Sequence, residues 1–243
     1  KMKKMKFIIP SLFFIAASAL IQSCSNYDED YLKLNYPTAI VTVCPDETGS
    51  FTMQLDNETT LYPSNITKSP YGSKEVRALV NYSTDDSRPD GTGVYVNWLD
   101  SIRTKIPAFT TDNNSQFFGN DPLEIINDWV TVAEDGYLTL RFRTVWGLTN
   151  IPHHINLVTG INPEDPFEFE LRHDAKGDTY GRYSDALIAF NLNELPRKDD
   201  KPVKVTLHWN SFSGKKSAEF DLQLRPTISE NSLKGLKTSD MIK

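Results

Sequence analysis

WVTVAEDGYLTLRFRTVW, residues 129–146, reads as two strands around one turn. Apolar and polar residues alternate on both sides of Glu134-Asp135-Gly136. Asp-Gly between two alternating runs is a hairpin signal, because both residues tolerate the left-handed backbone that a tight turn needs. More runs follow: HHINLV (153–158), FEFELRH (167–173), DALIAFNL (185–192), PVKVTLHW (202–209) and SAEFDLQL (217–224). Phe167, Phe169 and Leu171 oppose Glu168, Glu170 and Arg172. Val203, Val205, Leu207 and Trp209 oppose Lys204, Thr206 and His208, and Ala218, Phe220, Leu222 and Leu224 oppose Glu219, Asp221 and Gln223. Strands with one dry face and one wet face suit two packed sheets. Seven of them at this spacing predict an immunoglobulin-like β-sandwich over 123–226.

Upstream lie five shorter runs: TAIVTV (38–43), SFTMQLD (50–56), TTLYP (59–63), EVRALVNYS (75–83) and GVYVNWLDS (93–101). Turn-rich DDSRPDGTG (85–93) separates the last two. Five strands in so short a span predict a small closed barrel over 36–106, so the fold class is all-β. In the fourth run, Val76, Ala78, Val80 and Tyr82 share one face, while Arg77, Leu79 and Asn81 share the other. Residues 107–122 are rich in Asn, Asp and Pro and read as a linker. At their end, Asp121-Pro122 followed by Glu124 is a helix-start signal. Residues 227–243 have no clear period and read as a loose tail.

The first 23 residues are of another kind. Lys1, Lys3, Lys4 and Lys6 precede an almost wholly apolar run from Phe7 to Ile21. As a helix that run would rise about 22 Å, short of the roughly 30 Å hydrocarbon core. It reads as an export signal. Ile21-Gln22-Ser23-Cys24 is similar to a bacterial lipobox, in which the cysteine thiol becomes a thioether to diacylglycerol and then the new N-terminus. Cys24 is therefore the expected lipidation site. Residues 24–35 carry Asp28, Glu29 and Asp30 and read as an acidic tether. The acids serve either as a solvated linker or as a signal for the outer face. The expected location is the outer membrane, lipid-anchored, on its periplasmic or cell-surface face.

Charge and chemistry narrow the function classes. Losing the four leader lysines takes the formal net charge from −6 to −10. A chain this acidic gains nothing from counterion release, so no nucleic-acid partner is expected. Anchoring falls to the acyl chains. Cys44 is the only other cysteine; it lies in an apolar strand and reads as a small buried hydrophobe. His153 and His154 are neighbours on one strand and point to opposite faces, so they do not chelate one ion. His173 falls at the rim of the core by parity, and His208 on a wet face. Asp85, Asp86 and Asp90 lack calcium-loop spacing, Gly214-Lys215-Lys216-Ser217 lacks the first glycine of a phosphate loop, and there is no GxSxG. No catalytic residue, cofactor or metal is expected. Tyr62, Tyr71, Tyr82, Tyr95 and Trp98 in the barrel can form a stacking platform or pack its core and rim; packing is the commoner role.

Several blocks together resemble the NigD-like lipoproteins. In the first half these are Leu55-Asp56-Asn57, Leu61-Tyr62-Pro63, Val76-Arg77-Ala78-Leu79-Val80-Asn81-Tyr82 and Thr104-Lys105. In the second they are Asp121-Pro122-Leu123, Asp128-Trp129-Val130-Thr131-Val132, Asp135-Gly136-Tyr137-Leu138, His154-Ile155-Asn156-Leu157-Val158 and Leu171-Arg172-His173-Asp174-Ala175-Lys176-Gly177-Asp178. The resemblance spans roughly 24–226. It implies an OB-like barrel followed by a β-sandwich, and a lipid anchor. Founding members are described as bacteriocin immunity proteins. The expected role is non-enzymatic binding, of a protein toxin in immunity; the alternative is an accessory lipoprotein of a nutrient-uptake system that binds a glycan or a peptide. The family supplies no catalytic residues to carry over.

Overall fold

The computed structural model of the protein describes residues 35–111, 115–147, 151–197 and 201–226. The leader, Cys24, the acidic residues of the tether and the 227–243 tail lie outside the described residues.

Strands β1 (Ala39–Pro45), β2 (Phe51–Gln54), β3 (Thr60–Pro63), β4 (Val76–Thr84) and β5 (Gly93–Ser101) close into a barrel in the order β1-β2-β3-β5-β4. All pairs are antiparallel except β3–β5. Closure leaves no free edge. Val41, Val43, Met53, Ala78, Val80 and Val94 fill the interior and are fully buried. The other face of β1 is buried too, through Ile40 and Thr42. That is why TAIVTV reads as continuous rather than alternating.

The second half forms two packed sheets. One holds β6 (Arg103–Lys105), β8 (Glu124–Ile125), β9 (Val132–Glu134), β10 (Tyr137–Trp146) and β13 (Arg182–Asn191), with β6, β13, β10 and β8 side by side and β9 paired to β10. The other runs β15 (Gly214–Leu222), β14 (Val203–Ser211), β12 (Glu168–Asp174), β11 (His154–Thr159), β7 (Ala108–Phe109). Leu138, Leu140, Leu157, Phe169, Phe190 and Leu207 form the core between the sheets. The β9–β10 hairpin turns at Asp135-Gly136, with φ of 51° and 72°.

Three findings depart from the sequence reading. The 107–122 segment is not a free linker: β7 pairs in parallel with β11, and Asp121 N donates to His173 O at 2.8 Å. The helix-start signal at Asp121 opens no helix. The Asp121 carboxylate accepts from Ala175 N at 2.8 Å, and the chain enters β8 against β10. The sandwich also carries parallel pairs, β6–β13, β7–β11 and β12–β14, where hairpins alone would give antiparallel ones.

Barrel and sandwich share an apolar seam of Ile40, Ile102, Val130 and Ala189, flanked by Leu79 and Val132. Beside it lies a polar one. Arg77 is 0% exposed and reaches Glu134 Oε1 at 2.7 Å, Thr42 Oγ1 at 3.0 Å and Thr139 Oγ1 at 3.4 Å. Thr42 in turn donates to Asp135 Oδ2 at 2.6 Å, and Asp135 holds Arg225 Nη2 at 2.6 Å. The face of β4 that carries Arg77, Leu79 and Asn81 is thus an inner face of the molecule.

Candidate functional site

Loops cluster at the ends of a sandwich, where rigid strands hold exposed side chains. One end brings together the start of β11, the end of β12 and the turn after it, the end of β10, the start of β13, and the β14–β15 turn. Its base is a buried polar chain. Ile155 lies opposite His173 in the β11–β12 register. His153, two residues before Ile155, therefore falls on the same face. Its Nδ1 is 2.9 Å from His173 Nε2. His173 Nδ1 faces Pro122 O at 3.3 Å. A carbonyl only accepts, so that nitrogen carries the proton and His173 Nε2 accepts from His153. His153 Nε2 is 3.3 Å from Asp178 Oδ2, which also accepts from Gly147 N at 2.9 Å. Burial, then the charge of His153, pushes the His173 pKa down, which favours its neutral ring.

Over this base lies an aromatic surface. The Trp146 ring stacks on His153 at 4.2 Å, and its Nε1 donates to Ser184 O at 3.0 Å. Tyr183 and Phe212 meet edge to face at 5.2 Å. Tyr180 is 88% exposed, Tyr183 63% and Phe212 42%. Beneath Phe212, a cavity of about 50 Å³ is lined by Asp121, Thr144, His173 and Asp178, with room for water and not for an organic ligand. Arg143 and Asp185, paired at 2.6 Å, border the surface.

The other residues singled out from the sequence lie elsewhere. His154 is exposed. His208 pairs with Glu168 at 2.8 Å on the outer face of β14. Asp85 and Asp90 accept from Ser87 and Thr92 within their own loop. The Cys44 thiol is pushed up to about 12, mainly by burial and then by Glu75, which keeps it a thiol. Tyr71 and Tyr82 pack against the barrel core, while Tyr62 lies under the Arg88 guanidinium at 3.9 Å and Tyr95 is exposed. Among the described residues, no three His, Cys, Asp or Glu side chains are grouped to hold a metal ion. Strand parity places His153 and His173 each on a core-facing position, but their meeting depends on the β11–β12 register. Tyr180 and Tyr183 sit in a turn and at a strand start, where sequence periodicity carries no signal.

The family described as NigD-like N-terminal OB domain matches residues 40–102, and the NigD-like C-terminal beta sandwich domain matches residues 106–222. The chain belongs to the NigD-like family. Solved structures of similar proteins agree with the fold. A toxin-related protein from Parabacteroides distasonis is 29% identical over 82% of this chain and 98% of its own, with a TM-score of 0.65. A protein of unknown function from Bacteroides vulgatus is 20% identical over the same shares, with a TM-score of 0.62. A NigD-like immunity protein from Bacteroides caccae is 21% identical over 75% of this chain and 91% of its own, at 0.52. No curated protein matches the chain.

Proposed function

We propose that this NigD-like protein is a non-enzymatic binding lipoprotein of the outer membrane. Its lipid is carried by Cys24, and its partner is a protein toxin of the bacteriocin type, against which it confers immunity. The aromatic cluster of Tyr180, Tyr183 and Phe212 carries this reading. Exposed tyrosines fixed on a rigid base supply large contact area at low entropic cost, and such residues dominate protein interfaces. The immunity protein from Bacteroides caccae shares the fold, which supports the same direction. An immunity protein needs location and affinity, and no chemistry. An acidic chain speeds encounter with a cationic toxin.

Deleting the gene should sensitise the cell to a bacteriocin, and the full gene should restore protection. Cys24→Ala should give a folded protein that takes up no labelled palmitate and protects poorly. Tyr183→Ala with Phe212→Ala should be lipidated yet fail to protect. Full rescue by the Cys24→Ala form would remove anchoring from the proposal. Unchanged toxin sensitivity with impaired growth on a glycan would replace immunity with glycan uptake.

A further inference from the structure

The barrel and sandwich meet along a cleft of about 670 Å³, large enough for a small molecule and far from the aromatic end described above. Tyr71, Lys74, Arg103, Lys105 and Tyr137 line it, with one carboxylate, Glu75. That carboxylate is already engaged. Arg225 Nη1 contacts both its oxygens at 2.9 Å, and the Tyr137 hydroxyl donates to it. The three cations are not so matched. Among the described residues, Lys74, Arg103 and Lys105 form no ion pair. Lys105 is held in place by neutral oxygens alone, Ile155 O at 2.7 Å and Asn156 Oδ1 at 2.5 Å. In a chain of net charge −6, three unpaired cations around one cleft are a local reversal of sign.

A further observation points to something that completes the cleft. Lys105 has its pKa pushed down by burial and then by the charge of Arg103. An anion between the two side chains would relieve that repulsion. Asp100, which acts on the Tyr71 hydroxyl electrostatically, lies outside the lining.

We infer that this cleft binds a small oxyanion, a carboxylate or a phosphate, with Arg103, Lys105 and Lys74 holding the charge. Val76 and Ile106 supply apolar wall, so the ligand carries the anionic group on an organic body.

Titration of the isotope-labelled protein with inorganic phosphate, and separately with acetate, at low salt tests this by amide shifts. Saturable shifts confined to residues 71–76 and 101–106 are expected from at least one probe. Response to phosphate alone identifies a phosphate ligand; response to acetate alone, a carboxylate. Arg103 is exposed, so Arg103→Gln should fold normally and weaken binding about tenfold, the scale of one charge-assisted hydrogen bond. Shifts scattered over all surface lysines, no saturation with either probe, or Arg103→Gln binding as tightly as the unaltered protein would overturn the inference.

Discussion

At the end of β12, His173 shows how one buried ring acquires a pH signature. Its neutral form donates to Pro122 O and accepts from His153, with Asp178 and Asp121 as the facing carboxylates. Burial holds its folded pKa below the ordinary histidine value of 6.5. The unfolded chain therefore takes up a proton first as pH falls. The stability contributed by neutral His173 is present above pH 6.5 and is lost as pH falls from there towards the lowered folded pKa. The depressed carboxylates, such as Asp46 and Asp185, start from 3.8, so they act in a lower window. Urea unfolding between about pH 7 and 5 should show declining stability. His173→Gln keeps a donor and an acceptor but does not titrate, so its profile should be flatter. Superimposable profiles would assign the decline elsewhere.

At the scale of elements, the β9–β10 hairpin depends on its turn. Gly136 has φ of 72°, and an added Cβ would lie 1.9 Å from Asn193 Oδ1. Asn193 cannot simply move, because its side chain also accepts from Arg225 N at 3.0 Å. Gly177 has φ of 82° and open space around it. The two glycines separate backbone strain from steric overlap. Gly177→Ala should cost about 1–2 kcal/mol, from strain alone. Gly136→Ala should cost more than about 2 kcal/mol, since overlap adds to strain. Thermal unfolding of both variants measures the difference; equal losses would mean that Asn193 yields freely. Asp135 also has positive φ, yet its carboxylate binds Thr42 and Arg225, so the turn serves the junction as well as the hairpin.

Across the whole molecule, Arg77 joins the two halves. It leaves β4 of the barrel and reaches Glu134 of the sandwich hairpin, which is itself largely buried. Burial is the main influence on Glu134 and raises its pKa despite the guanidinium beside it. Removing Arg77 leaves that carboxylate with little water and without its cation. Arg77→Ala should therefore cost about 3–5 kcal/mol, the range for breaking a buried pair. Barrel and sandwich should also unfold together: tryptophan fluorescence and far-UV circular dichroism of the unaltered protein should follow a single transition with one midpoint. Separate midpoints in the unaltered chain would show that the seam does not couple them.

The longer strands and their order were legible in the amino-acid sequence, while the short β6, β7 and β8 were not. Alternation in 129–146 and 202–224 depends only on strand parity, and the Asp-Gly turn only on local backbone preference. The same parity put Val76, Ala78 and Val80 inside the barrel and His173 on a core-facing position. What covers the opposite faces is set by packing between the barrel and the sandwich. Parity groups Arg77 with Leu79 and Asn81 on one face of β4 and says nothing of what covers it; it is buried because the sandwich packs there, a long-range contact that no local pattern encodes. Asp121 shows the same limit. Its cap signal is real, but a donor from the turn after β12 took it in place of a helix. The His153–His173 pair and the aromatic surface above it arise from register and loop convergence, which are set by packing between segments distant in the chain.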